Sequence, residues 1–425
     1  MNGNANRSKK DINVLMILPH FMPDFFAGNY RRIFELLMRG KMVGIDYATI
    51  EFTPMAQLRD YVQRTLGYSL PHYQAYSVKG YGRGYNEERI FLLIVNAFKF
   101  LKKTLEIRYG KHYPDIILVP DALSSWVLYG YLVSVILRRP CVVTIQLIPK
   151  WLLESGSSDM KSLYMHFRSK YRLLKALFNT LTTSIFLSIL KRCYLITVSE
   201  WTKAKFLSLV KTKKLTFVNY NGVSNMIMKK YEGTKIYDGI FIGVHDERKG
   251  ILELMKVWKH VIQVKPNAKL VTCGVIPKHM KDKILDRIRD YSLHENILLM
   301  GSVSEDEKIQ LLARSRIFVL PSRHEAFPIV VIEALAMGLP VVVYDIPEFK
   351  DSFFKKSKAV ISIPQANTEV FAKKVIELLE NTDMLKALSR IAQLHIKNLT
   401  WNAVLRKERS IYIMVIKDFL KSCRR

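Results

Sequence analysis

Cysteine is scarce in this chain: Cys141, Cys193, Cys273 and Cys423 are the only four among 425 residues, and they lie far apart. Zinc ribbons, redox pairs and disulfide frameworks need closer spacing, so the pattern excludes them and fits a reducing, cytoplasmic compartment. No secretory leader is expected either. Met1 to Asn13 is polar and basic, and the apolar run Val14 to Leu18 is only strand-length. In the first half, the longest stretch without a charge, glycine or proline is Ala176 to Leu190. It carries Asn179, Thr180, Thr182, Thr183, Ser184 and Ser188. A spanning helix wants about 20 mostly apolar residues, so no transmembrane segment is expected.

Acidic residues are few as well. The 37 Asp and Glu against 66 Lys and Arg leave a net charge of +29, of which residues 1–225 carry +18. Within Met160 to Lys214 there are 12 basic residues and one acid, Glu200. A field of that sign attracts nucleic acid, an acidic membrane surface or an anionic substrate. Aromatics interleave with the cations, but no nucleic-acid module is recognisable, so no nucleic-acid partner is expected.

What is present is a long globular chain, 49% hydrophobic and 24% charged, too long for one ordinary core. Short apolar runs alternate with helical segments. Asn13–Leu18, Val43–Ile50, Asp115–Val119, Cys141–Leu147 and Tyr194–Val198 read as strands of a parallel sheet covered on both faces. A second series begins near Tyr237, with strands at Asp238–Val244, Lys269–Cys273, Ile297–Met300, Ile317–Leu320 and Val341–Val343. Between them, Gly250–Val264 has helical spacing, with Ile251, Leu254, Val257 and Val261 on one face. Two such series imply an α/β protein of two doubly wound domains, 1–224 and 225–404, linked through the turn Asn219 to Asn225.

The sharpest local signal runs from Pro321 to Gly338. A strand ends at Leu320, a short loop Pro321-Ser322-Arg323-His324-Glu325-Ala326-Phe327 follows, and Pro328 stands where a first helical residue belongs. Gly338 supplies the C-terminal stop. The helix N-terminus points unpaired N–H groups and a dipole at whatever the loop holds, which suits a phosphate. Glu325 and Glu333 bracket that terminus, and carboxylates accept hydrogen bonds from sugar and ribose hydroxyls. Glu333 sits among Val330, Val331, Ile332, Ala334 and Leu335, an apolar setting in which a charge needs a reason.

The stretch Phe318 to Val343 resembles the donor-site signature of glycosyltransferase family 4, the retaining glycosyl transferases group 1. That signature has a Pro-Ser strand end, two glutamates with seven residues between them, and a Gly-x-Pro-Val-Val segment. Gly338-Leu339-Pro340-Val341-Val342 supplies the last. The resemblance implies the GT-B fold, two Rossmann-like domains facing a central cleft, with a final helix over 405–425 returning to the N-terminal domain. It implies that Glu333 grips the nucleotide ribose, that Glu325 holds the donor sugar, and that Ser322, Phe327, Pro328, Ile329 and Val330 line the donor through the loop and helix start.

Gly243 to Gly250 resembles the strand–Gly-Arg–loop–Lys-Gly segment whose cations neutralise the departing diphosphate. Lys249-Gly250 fits; Val244 stands where the arginine is usual, and Arg248 is the candidate second cation. Val198-Ser199, Asn221-Gly222-Val223, Asp345-Ile346-Pro347-Glu348 and Thr400-Trp401 also match. In the N-terminal half the likeness is weaker. Only Ala27-Gly28 remains of the glycine pair that lets backbone approach the donor phosphate, with Arg31 or Arg32 nearby. Gln146 replaces a histidine common near the donor sugar, and His20 and Asp121 are the other residues that could face the site. There is no Asp-x-Asp motif, so neither a metal nor another cofactor is expected.

The function implied is transfer, with retention, from a UDP- or GDP-sugar to a hydroxyl of a glycan or lipid-linked acceptor, in polysaccharide or glycolipid assembly. Lys249, Arg248 and Glu325 would carry the chemistry, and the acceptor would bind the N-terminal domain. There, aromatics mixed with Lys161, Arg168, Lys170 and Lys175 suit peripheral docking on an anionic inner-membrane surface. A non-catalytic partner subunit of the same fold and a nucleotide-sugar epimerase are the alternatives.

Overall fold

A computed structural model of the chain describes residues 11–18, 28–51, 63, 72–74, 102–108, 113–122, 126–224, 227 and 234–424. The chain forms two compact units, residues 1–220 with 404–425, and residues 221–403. The division falls inside the turn Asn219 to Asn225, a few residues before the expected 224/225 boundary.

Among the described residues the N-terminal unit holds seven strands: β1 Ile12–Leu18, β2 Ile45–Glu51, β3 His72–Gln74, β4 Ile116–Val119, β5 Cys141–Ile145, β6 Tyr194–Thr197 and β7 Thr216–Val218. Their spatial order is β3-β2-β1-β4-β5-β6-β7, all pairs parallel. Strands β1, β4, β5 and β6 are almost wholly buried, as runs such as Ile-Ile-Leu-Val demand when helices cover both faces. Cys141 and Cys193, 52 residues apart in sequence, are both buried in this core, where the Cys193 sulfur acts on the Cys141 thiol. All four cysteines are free. The neighbouring Cys193 sulfur, and after it burial, raises the Cys141 thiol well above its ordinary value.

The last helix, Trp401–Cys423, belongs to this unit from Val404 onward, and a buried charge network seats it. Arg32, fully buried on the helix Gly28–Arg39, meets Glu408 at 2.5 Å and donates to the carbonyls of Asn219 and Tyr220 at 3.2 Å. Asn219 and the Tyr412 hydroxyl also donate to Glu408. Arg31 pairs with Glu35 at 2.8 Å. Arg32 is therefore the internal partner of a buried acid and no spare cation for a phosphate.

The described residues of the C-terminal unit form six parallel strands: β8 Tyr237–Ile242, β9 Leu270–Cys273, β10 Ile297–Leu299, β11 Ser315–Leu320, β12 Val341–Tyr344 and β13 Val360–Ile363. They are ordered β10-β9-β8-β11-β12-β13. The helix Ile251–Val264 buries Ile251, Leu254, Val257 and Val261, the face read from sequence, together with Met255 and Trp258. Asn221-Gly222-Val223 lies against Thr400-Trp401, where a Cβ on Gly222 would come within 2.6 Å of the Trp401 backbone nitrogen. The two short matches thus form one structural joint.

Candidate functional site

In a doubly wound sheet the chain turns left from one strand and right from its neighbour, which opens a crevice beyond their carboxyl ends. In the C-terminal unit those neighbours are β8 and β11, paired through Ile317–Gly239 and Phe318–Ile240. The loops leaving them are Gly243–Gly250 and Pro321–Pro328. Both sequence-marked segments therefore belong to one switch point.

The loops are held together tightly. Gly250 has φ +75°, and a Cβ there would lie 2.0 Å from the Pro321 carbonyl oxygen, so only glycine allows the approach. The Arg323 amide donates to the Arg248 carbonyl at 2.8 Å, and the Arg248 guanidinium donates to the His324 carbonyl at 3.2 Å. The Lys249 ammonium stands 2.5 Å from Glu325 Oε1, with both side chains largely buried. A lysine ammonium has three donors, and Glu325 uses one. The Lys249 amide is itself fixed by Asp246 at 2.8 Å. Gly243 lies beside the Lys249 stem, where an added Cβ would stand 3.7 Å from Cδ. That is ordinary contact, but Gly243 has φ +159°, a backbone conformation L side chains rarely adopt, so the backbone and not the space demands glycine here.

The helix after the second loop is Ile329–Ala336. Pro328 is its N-cap, with φ −70° and ψ 108°, and not its first helical residue as expected. A proline cap has no hydroxyl or carboxylate to offer, and no side chain caps this helix. At the other end Gly338, φ +76°, closes a Schellman motif: its amide meets the Leu335 carbonyl, and the Leu339 amide meets that of Ala334.

Glu333, 3% exposed, has its reason. Lys308 of the helix Glu305–Ala313 meets its two oxygens at 3.0 and 2.9 Å, and also pairs with Glu305 at 3.0 Å. Nearby, burial, with Glu333 adding to it and Lys308 opposing, pushes the Cys273 thiol up to about 12, so it stays protonated and inert.

The side chains of two expected donor residues are engaged within the protein. The Ser322 hydroxyl is buried and directed at the Arg248 and His324 carbonyls, 3.2 and 3.4 Å away, because it bridges the two loops. The Phe327 ring is 3% exposed and packed on Phe353 and Phe354, with centroids 5.4 and 5.0 Å away. Its side chain belongs to an aromatic cluster, which leaves only its backbone to the site. Val244, where the arginine is usual, is 37% exposed.

Sequence reading passed over His245 and Lys308, and it did not pair His324 with Glu348, though both stand in quoted segments. His245 is fully buried between the loop and β9: Nδ1 meets the Gly243 carbonyl at 3.1 Å and Nε2 the Thr272 hydroxyl at 2.9 Å. A carbonyl only accepts, so Nδ1 carries the proton and Nε2 accepts from Thr272. Burial lowers its pKa to about 4, keeping the ring neutral. His324 Nδ1 contacts Glu348, which lies two-hundredths exposed on the turn Pro347–Lys350. The signal was thin: a histidine two residues after the loop glycine, and a lysine inside the acidic first turn of a capping-box helix.

In the N-terminal unit the corresponding switch point lies between β1 and β4. Residues 19–27, with His20 and Ala27, lie outside the described residues, and Gly28 begins the following helix. Gln146 is buried and donates to the Pro120 carbonyl at 3.0 Å. Asp121 lies close enough to Tyr30 that its charge, after burial, raises the Tyr30 hydroxyl. Among the described residues no three His, Cys, Asp or Glu gather as metal ligands.

Residues 228–395 match the family model described as glycosyl transferases group 1. An uncharacterized glycosyltransferase of Methanocaldococcus jannaschii is 32% identical over 173 residues, 37% of this chain and 44% of that one. A GDP-mannose:cellobiosyl-diphosphopolyprenol alpha-mannosyltransferase of Xanthomonas oryzae is 27% identical over 176 residues, 40% of this chain and 44% of its own. The matches thus span under half of these relatives' length. Among solved structures, a glycosyltransferase from Rickettsia africae superposes with TM-score 0.71 at 18% identity, covering 96% of this chain and 99% of that one. Anabaena HepE in complex with UDP and glucose does so with TM-score 0.69 at 14% identity, covering 94% and 99%. At such identities the likeness concerns the fold, which is GT-B. Through residues 228–395 of its C-terminal unit, this chain is similar to the glycosyl transferases group 1 family.

Proposed function

We propose that the protein is a retaining glycosyltransferase, moving a hexosyl group from a UDP- or GDP-sugar to a hydroxyl of a glycan or lipid-linked acceptor. The observation that carries this reading is the Lys249–Glu325 pair at the β8/β11 switch point, beside a helix terminus that no side chain caps. One member is a cation for the diphosphate and the other an acceptor for sugar hydroxyls. The relatives' names speak of GDP-mannose in one case and UDP in another, so both nucleotides stay open.

In this mechanism the diphosphate lies against the first turn of the helix Ile329–Ala336 and the two remaining Lys249 donors. These groups are fixed before reaction, so they stabilise the charge that grows on the departing diphosphate without reorganising. Arg248, tied to the His324 carbonyl, steadies the loop pair and adds positive potential. Glu325 orients the sugar ring, and Glu333 shares itself between Lys308 and the ribose. The acceptor hydroxyl enters on the face the diphosphate leaves, a phosphate oxygen taking its proton, with no protein nucleophile and no metal ion. The N-terminal unit is assigned the acceptor, and the cytoplasm the reaction, in assembly of a polysaccharide or glycolipid.

The test is to incubate the protein with UDP- and GDP-sugars and follow nucleotide release and the anomer formed by NMR. Release from one nucleotide family with retained configuration supports the reading. No release with any donor, with or without acceptor extracts, points to a non-catalytic subunit.

A further inference from the structure

The helix Leu173–Leu190 in the N-terminal unit is built with its apolar side outward. Ala176, Thr180, Leu187 and Leu190 are its buried residues and form one stripe against the protein. At 100° per residue, Leu174, Leu177, Phe178, Leu181 and Ile185 fall on the opposite side. They are 82%, 48%, 46%, 55% and 50% exposed. The helix is longer than the uncharged run Ala176–Leu190 because it takes in Leu173, Leu174 and Lys175. By length and hydropathy it passes for a membrane span, yet only 22% of it is buried. The helix Trp126–Leu137 packs against it and contains no charged residue. It too turns Leu128, Leu132 and Val135 outward.

Water is a poor partner for such a surface, since monomeric proteins rarely expose contiguous apolar patches larger than a few hundred Å². The charges around it select what covers it. Arg168, Arg172 and Lys175 stand at one end of the helix and Lys191 and Arg192 at the other, with no acid between Met160 and Val198. A second copy of the chain would bring two basic rims together, which like-charge repulsion opposes. An anionic lipid surface answers both features at once: acyl chains for the leucines, acidic headgroups for the rim. The buried stripe keeps one side of the helix on the protein, so it lies along the surface and does not cross.

We propose that this face docks the protein on an anionic bilayer, with the Leu174–Ile185 stripe inserted at the boundary between headgroups and acyl chains. The inference goes beyond the transfer reaction and stands independently of it.

Flotation of the full chain with phosphatidylcholine vesicles, with and without phosphatidylglycerol, tests it at low and high salt. The protein floats with the anionic vesicles at low salt and less at high salt. The triple variant Leu174→Asp/Leu177→Asp/Leu181→Asp loses at least about tenfold in bound fraction, while Leu285→Asp, an exposed leucine of the C-terminal unit, changes nothing. Arg172→Glu/Lys191→Glu keeps the apolar stripe and weakens only the low-salt binding, so the claim remains testable if the triple variant misfolds. No flotation of the unaltered protein at low salt, or equal flotation of all variants, overturns the proposal. So does a dimer that the triple variant converts to monomer.

Discussion

The two units use the same parallel architecture and place their unusual residues oppositely. In the C-terminal unit the charges that matter sit in loops at strand ends, Lys249 facing Glu325 across one switch point. In the N-terminal unit a charge pair, Arg32 with Glu408, is fully buried, while Leu174 is 82% exposed. The difference separates two kinds of constraint. Site charges are placed where a ligand can share them. Arg32 and Glu408 close a structural seam, and the leucines await a solvent other than water.

The largest effect should come from breaking that seam. Arg32→Met leaves Glu408 buried without its cation, which costs about 3–5 kcal/mol. Amide hydrogen exchange should show protection lost across residues 31–220 and kept across 237–400. Arg32→Met/Glu408→Leu, which removes both charges, should recover most of it. If the single variant loses protection equally in both units, the seam is not local to the first.

Next in size are the site charges. Lys249→Met or Glu325→Gln should lower kcat about 100- to 1,000-fold, the usual cost of removing one preorganised group that stabilises developing charge. The N-terminal cations give the contrast: Arg172→Glu/Lys191→Glu should leave kcat on a water-soluble acceptor unchanged. A fall in kcat there would erase the division of labour between the units.

The smallest effect concerns His245. Its folded pKa is about 4 against an ordinary 6.5. As pH falls through that window, the unfolded chain takes up a proton that the folded chain refuses. Its contribution to stability, at most about 3 kcal/mol, is therefore present above pH 6.5, shrinks as pH falls towards 4, and is flat below. Denaturant titrations between those values should show the slope, and His245→Gln should remove it. An unchanged slope would mean that another group titrates.

How much was legible follows from what each signal depends on. Strands β1, β4, β8, β11 and β12 were readable because a strand covered on both faces must be continuously apolar. Three edge strands, β3, β7 and β13, were not: they are three or four residues long, and β7 and β13 are only partly buried. The Glu325/Glu333 segment was legible because a helix-start proline, a glycine stop and both carboxylates lie within 18 residues. Lys308 was not, since the helix that brings it to Glu333 is placed by tertiary packing alone. The leucines of the helix Leu173–Leu190 teach the same point. Periodicity shows which residues share a face, but not which way the face points. Ser322 and Phe327 were marked by position in a motif, and their side chains proved to be committed within the protein.

The central claim is that the β8/β11 switch point binds a nucleotide diphosphate through Lys249 and Glu333. Thermal unfolding of the purified protein with UDP, GDP and ADP, and their sugar conjugates, tests it directly, repeated on Lys249→Ala and Glu333→Ala. The account predicts stabilisation by one nucleotide family, growing with ligand concentration, and lost in both variants. Stabilisation that survives both substitutions, or none with any nucleotide, would contradict it.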